Sequence, residues 1–354
     1  MKRSVFIIFA ILITGLSHNV LASSPLKPGD YSWISQIRQE HPRMFIVKDD
    51  IPMIKEAAKT HAKRTYDAMK HRADTLLGRP IEFVDVLAKL GDGNDNKNYG
   101  FYASDAAMMW LITEDPKYFD LAKEIITKLA DYYQLRADNN LNIEWYAFSQ
   151  ICALCAYDWI YNDLTTEERD TIGRALFKAM CDTAWLGKGY REKRFRENVS
   201  GHISGLYGTP VLPLYIGLTF WNEGIDNERC ESLLRNGYDM HQKMVEFRSS
   251  MIGEKGGAAN AIPGYSLAAY PYAEYDLIYT FRSAVGKDLT DDFKYMVGYL
   301  RYIDWLRIPG NRDFGFGDAF HRDNLLPERA INAHIQEIVN LFGDKHPEIL
   351  PIAS

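Results

Sequence analysis

The sequence predicts an all-α chain of many antiparallel helices, and three observations carry that prediction. Apolar residues recur at intervals of three and four along most of the 354 residues, which is the period of a helix with one buried face. Short polar breaks with helix entry and exit residues separate the patterned stretches. Strand-like alternation is scarce, and Phe45-Ile46-Val47 is the best short candidate for a strand. Consecutive pairs of long amphipathic faces suggest hairpins set in a ring, an incomplete (α/α) toroid whose inner helix ends surround a cleft. A bundle or an α-solenoid gives similar periodicity.

The elements follow in chain order. Lys2 and Arg3 form a charged start, Val5 to Leu16 is an almost unbroken apolar stretch, and Val20-Leu21-Ala22 resembles a cleavage site. Residues 1–22 therefore read as a signal peptide, with Ser23 the first mature residue and a periplasmic or secreted destination. That stretch is shorter than the roughly 20 apolar residues a membrane span needs. Helical periods then cover 51–76, 102–113, 116–134, 144–161, 165–186, 227–248, 268–284 and 328–342. Asp115-Pro116 opens one of these helices, Thr165 or Thr166 ahead of Glu167-Glu168 opens another, and Gly343-Asp344 closes the last. His241 lies in the regular helix 227–248 and is read as a surface residue.

Cys152 and Cys155 sit inside SQICALCAYDWIY, an apolar helical pattern, and read as small core residues. Cys181 and Cys230 lie in separate segments, which leaves room for one bridge. These spacings give no metal site, and no motif asks for a cofactor. Removing Lys2 and Arg3 with the leader takes the net charge from -6 to -8, since no acidic residue precedes Ser23. An acidic total disfavours nucleic acid as a partner, although the local field in a cleft steers a ligand more than the sum does.

Two segments interrupt the regularity. RENVSGHISGLYG spans 196–208, and GEKGGAANAIPGYSLAAYPYAEYDL spans 253–277. Lys188, Arg191, Lys193, Arg194 and Arg196 lead into the first of them, against only Glu192 and Glu197. Asn198 and His202 are four apart, so on a helix they share one face. Gly201, Gly205 and Gly208 allow close backbone approach to a ligand.

HPRMFIVKDDIPMIKEAA at 41–58, YDWIYNDLTTEERDTI at 157–172, NVSGHISGLYG at 198–208, GGAANAIPGYSLAAYPYAEYDL at 256–277 and FGFGD at 314–318 resemble the heparinase II/III-like polysaccharide lyases. The resemblance spans most of residues 41–345. The first two segments mark the fold and the others mark the site. It implies an N-terminal (α/α) toroid over residues 23–345 followed by a β-sandwich, acting on acidic, uronic-acid polysaccharides such as heparan sulfate, chondroitin or alginate. Here residues 346–354 read as a truncated end without the expected β-sandwich, and no residue takes the second catalytic histidine that this domain supplies in many members.

Such a lyase removes the C5 proton of a uronate, alpha to an ionised carboxylate, and expels the glycosidic oxygen at C4. The developing dianion needs donors or cations on the carboxylate before a base can work. Asn198 and His202 suit that task. One tyrosine serves as base and acid when both groups lie on the same face of the sugar. Tyr265, after Pro263-Gly264, ranks first because the family's tyrosine lies in a comparable Gly-rich stretch, and Tyr270, Tyr272 and Tyr275 compete with it. Its pKa must fall from about 10, which a cation such as Arg194, Arg196 or His202 supplies. Arg194, Arg196, Trp145, Tyr146, Tyr270 and His321 are the candidate substrate-binding residues; Trp145, beside Glu144, either stacks on a pyranose or packs in the core. Asp313 and Asp318 flank FGFG and read as turn residues rather than as the carboxylate pair of a hydrolase. Three functions stay open: a lyase or its toroid portion, an enzyme that epimerises uronates at C5, and a non-catalytic glycan-binding remnant.

Overall fold

The computed structural model describes residues 27, 29–88, 95–141, 143, 144, 147–184, 211–252, 256, 257, 267, 270–305 and 328–353. Within them the fold is all-α, with no strand. Eleven helices have nine residues or more: α1 Ile51–Lys59, α2 Lys63–Asp74, α3 Asn98–Thr113, α4 Pro116–Asp138, α5 Phe148–Ile160, α6 Thr166–Ala184, α7 Leu212–Phe220, α8 Asn227–Ile252, α9 Tyr270–Ala284, α10 Tyr295–Trp305 and α11 Glu328–Phe342. None of the described helices is long and apolar enough to cross a membrane.

The entry signals act as the sequence indicated. Asp115 accepts the Lys117 N–H at 3.2 Å and starts α4. Thr165, not Thr166, caps α6 through a reciprocal box, its hydroxyl accepting the Glu168 N–H at 3.2 Å while the Glu168 carboxylate accepts the Thr165 N–H at 2.9 Å. The predicted helix 51–76 breaks in two at Thr60, whose hydroxyl bonds back to the Glu56 carbonyl at 2.9 Å. Phe45-Ile46-Val47 is not a strand. Phe45 has φ 65, outside the pleated range, and the main-chain N–H groups of Arg43 and Met44 bond to the Asp158 carboxylate. The short helices α7 and α10 escaped the periodicity; LPLYIGLTF of α7 is buried on every side and has no polar face to reveal a period.

The helices form two layers. Residues 103–109, 149–160, 211–220 and 271–281 are buried without a break, so α3, α5, α7 and α9 are inner helices. Helices α4, α6 and α8 keep one exposed face and pack outside them: α4 pairs with α3 and α6, and α8 pairs with α7. The helices approach closely at glycines, both within the inner layer and between the two layers. A Cβ on Gly100 of α3 would stand 2.0 Å from the Ser149 carbonyl oxygen of α5, and one on Gly237 of α8 would stand 2.4 Å from the Leu214 nitrogen of α7. Alanine normally favours a helix over glycine by about 1 kcal/mol. Here backbone is struck, so Gly100→Ala and Gly237→Ala are each expected to lose about 1–3 kcal/mol in urea unfolding. A gain in stability would show that the crossings are looser than described.

Residues 38–47 clamp the C-terminal ends of three inner helices. Asp158 of α5 accepts His41 Nδ1 at 2.6 Å and the Arg43 and Met44 N–H groups at 2.9 Å each. The Arg43 guanidinium donates to the Thr219 carbonyl in the last turn of α7 and to the Trp221 carbonyl just beyond it, at 2.8 and 3.0 Å, and to Glu223 at 3.0 Å. Ser283 of α9 donates to the Arg43 carbonyl at 2.8 Å, and the Arg38 N–H donates to the Ala284 carbonyl at 2.8 Å. His41 Nε2 lies 2.8 Å from Glu223, and its ring stacks on Tyr161 at 3.8 Å. Burial acts to raise the Glu223 pKa, yet His41, Tyr161 and Arg43 together hold it below the usual carboxylate value. Trp159 Nε1 and Asn162 Nδ2 donate to the Met44 and His41 carbonyls at 2.9 and 2.6 Å. The motifs HPRM and YDWIYND thus hold each other.

Candidate functional site

With the C-termini of α5, α7 and α9 gathered at the clamp, their N-termini lie at the opposite pole. Phe148 at the start of α5 meets Tyr272 at the start of α9 edge-on, with ring centroids 6.5 Å apart. Helix α11 runs parallel to α9: His334 faces Tyr272 and Tyr275, Glu337 faces Tyr279, and Lys345 beyond its end reaches Asp288 and Thr290. Its N-terminus lies at the same pole. The outer helices arrive there with their C-terminal halves, where Tyr133 of α4 pairs with Ser149 at 3.1 Å, Thr183 of α6 with Gln150 at 2.9 Å, and Arg248 of α8 with Glu274 at 2.5 Å.

The long connections 75–97, 139–147, 185–211, 253–269 and 306–327 lead into α3, α5, α7, α9 and α11. Each therefore enters a helix N-terminus at this pole. The shorter turns 114–115, 161–165 and 221–226 lead into the outer helices α4, α6 and α8. The long connections contain Trp145 and Tyr146; Arg194, Arg196, Asn198 and His202; Tyr265; and His321. These eight residues lie outside the described set, as do residues 1–22, expected to be a signal peptide, and the FGFGD segment. Tyr270 is the first residue of α9, and its side chain lies outside the described set.

What is described at the pole is its buried polar lining. Glu144 does not face outward beside Trp145; it is 7 % exposed and its carboxylate accepts the Ser149 N–H at the start of α5. Burial raises its pKa to about 7. Tyr272 and Tyr275 are buried, and desolvation raises both hydroxyl pKa values, with nearby acidic groups adding to the effect. Both stay protonated at neutral pH, the opposite of what a base requires. Burial counts against two of the three competitors of Tyr265.

Residues that the sequence reading passed over supply much of this lining. Glu274 accepts from Arg248 and, at 3.1 Å, from the Tyr295 hydroxyl. Asp276 is 7 % exposed, and burial and the charges of Glu337 and Glu274 raise its pKa well above the usual value. His334 and Glu337 were legible in ERAINAHIQEIVNLF, because both fall on the stripe set by Ile331, Ile338 and Leu341. His241 belongs to the same class. It is fully buried rather than on the surface, its Nδ1 lies 2.8 Å from the Gly237 carbonyl, and burial lowers its pKa to about 4. Its place on the stripe of Leu234, Tyr238 and Met244 is the reason. Cys152 and Cys155 are buried core thiols, and Cys181 and Cys230 are also buried and free rather than bridged.

No protein-family model matches the chain, and no curated protein matches it.

The carboxyl of Glu337 gives the site region a measurable pH dependence. Burial holds its pKa at about 7 against the ordinary 4.5, partly opposed by the Tyr279 hydroxyl, which donates to it at 2.6 Å. The unfolded chain releases this proton near 4.5 and the fold near 7, so the contribution is present below 4.5 and is lost as pH rises to 7. A shift of that size corresponds to about 3 kcal/mol. Glu337→Gln keeps an oxygen for Tyr279 and cannot ionise. It is expected to resemble the native protein near pH 4 and to exceed its stability by about 3 kcal/mol near pH 8 in urea unfolding. Equal stability of the two proteins at both pH values would contradict this account.

Proposed function

We propose that the chain is a heparinase II/III-like polysaccharide lyase, or the toroid portion of one, that cleaves a uronic-acid polysaccharide by β-elimination. One observation carries the reading: the stretches that hold Trp145 and Tyr146, Asn198 and His202, Tyr265, and His321 each lead into a helix N-terminus at one pole of the two-layered helical fold, opposite the HPRM and YDWIYND clamp. Each such N-terminus carries about half a positive charge, a suitable field for a polyanion. In this reading the two layers close into an incomplete (α/α) toroid.

Asn198 and His202 hold the uronate carboxylate and take up its developing charge. The Tyr265 oxygen, ionised beside a cation, removes the C5 proton. The electron pair forms the C4–C5 double bond, the bond from C4 to the glycosidic oxygen breaks, and the same tyrosine returns a proton to the departing oxygen. Arg194, Arg196, Trp145, Tyr146, Tyr270 and His321 bind the flanking sugars. The buried carboxylates do not favour hydrolysis, since Glu337 is 2 % exposed and engaged by Tyr279. The reading includes export directed by residues 1–22.

The test is incubation with heparan sulfate, chondroitin sulfate, dermatan sulfate, hyaluronan and alginate, following ultraviolet absorbance of the unsaturated uronate. The expected result is signal on at least one polymer. Deuterium entry at C5 without unsaturation would transfer the function to an epimerase, and binding without either signal would leave a glycan-binding protein.

A further inference from the structure

We propose that His334 is a positioning residue, which fixes the main chain of the segment leading into α9 by holding the Leu267 carbonyl. The role rests on the lyase reading, in which that segment carries Tyr265, two residues before Leu267. His334 Nε2 lies 2.8 Å from the Leu267 oxygen, and His334 is 0 % exposed. Its Nδ1 lies 3.3 Å from the Tyr275 hydroxyl.

The two bonds fix the tautomer. A carbonyl only accepts, so Nε2 carries the proton and Nδ1 accepts from Tyr275. Burial agrees, lowering the pKa to about 4 and keeping the ring neutral. Tyr272 at 5.5 Å and Tyr299 at 5.7 Å between ring centroids close over the imidazole. The side chain therefore has one rotamer and one direction in which to donate. Leu267 itself is 2 % exposed, so both the side chain and the carbonyl of this residue are held where the chain enters α9.

This arrangement places a buried anchor on α11, more than sixty residues further along the chain, against the stretch whose geometry the chemistry needs. A base displaced by about 1 Å loses on the order of a hundredfold in rate. An anchor that costs little in overall stability can therefore matter much more to turnover.

His334→Leu, which removes the donor, His334→Gln, whose amide restores it, and Tyr275→Phe, which frees Nδ1, form the test. Amide hydrogen exchange is read over 256–270 and, as an internal control, over 151–160 in α5. His334→Leu is expected to speed exchange in 256–270 by about tenfold, with α5 unchanged, His334→Gln to recover most of the protection, and Tyr275→Phe to act in the same direction more weakly. On the polymer that the native protein cleaves, kcat falls by about tenfold or more with KM nearly constant, and His334→Gln restores it. Unchanged exchange in 256–270, or faster exchange everywhere alike, overturns the anchor. Local exchange that responds while kcat does not overturns the positioning role. A native protein that cleaves none of the polymers defeats the lyase reading instead, and the exchange data still decide the anchor. Should His334→Leu fail to fold, Tyr275→Phe carries the same comparisons.

Discussion

Asp158→Ala is expected to lower the stability of the fold by about 3–5 kcal/mol, measured by urea unfolding. Asp158 is 0 % exposed and serves three donors, the His41 ring and the main-chain N–H groups of Arg43 and Met44. Its removal leaves all three without an acceptor where water does not replace it, and each orphaned donor costs about 1–3 kcal/mol. The loss is a large share of the 5–15 kcal/mol that separates a typical domain from its unfolded chain. Asp158→Asn keeps one accepting oxygen and is expected to lose less. A cycle with His41→Gln should return a coupling above about 1 kcal/mol, because the two side chains share one buried network. A loss below about 1 kcal/mol in Asp158→Ala would mean that the clamp relaxes onto other acceptors.

Tyr265→Phe is expected to reduce kcat on the cleaved polymer by about 10²–10⁴ with KM little changed, measured by steady-state kinetics of the unsaturated product. In the proposed lyase mechanism the hydroxyl acts on the proton and contributes little to ground-state binding, which is why the loss would belong to kcat. His202→Ala is expected to cost about 10²–10³ through the lost stabilisation of carboxylate charge. Retention of activity within about tenfold in Tyr265→Phe would displace the base from that position. Tyr270 would then be the next candidate, since Tyr272 and Tyr275 are buried with raised pKa values.

The long helices were legible because their periods are written on one wet and one dry face. α4, α6, α8 and α11 follow the three-and-four spacing, and Asp115 and Thr165 mark starts that the hydrogen bonds bear out. Helix α7 was not legible, because a helix dry on all sides has no alternation to read. The motifs HPRM and YDWIYND were visible as words but not as partners; 117 residues separate His41 from Asp158, and no local spacing encodes such a contact. At the pole, polar residues on apolar stripes were the readable sign of His334, Glu337 and His241. The direction of Glu144 was not readable, since a carboxylate before a helix serves equally well as a cap or as an outward-facing group. For the eight residues in the long connections, the sequence supplies the chemistry and the described helices supply the pole they lead into.

The clamp also sets a timetable. A ribosome makes residues 38–47 early, yet their partners arrive 117 residues later at Asp158, 182 later at Glu223 and 240 later at Ser283. At about 5–20 residues per second the last of these follows roughly 10–50 s after Arg43 emerges. Over that interval the nascent segment carries a guanidinium and an imidazole with no fitted acceptors. Contacts of such long range close late and slow the search for the native topology. This early stretch is thus among the last to be docked, and its docking marks completion of the helical scaffold.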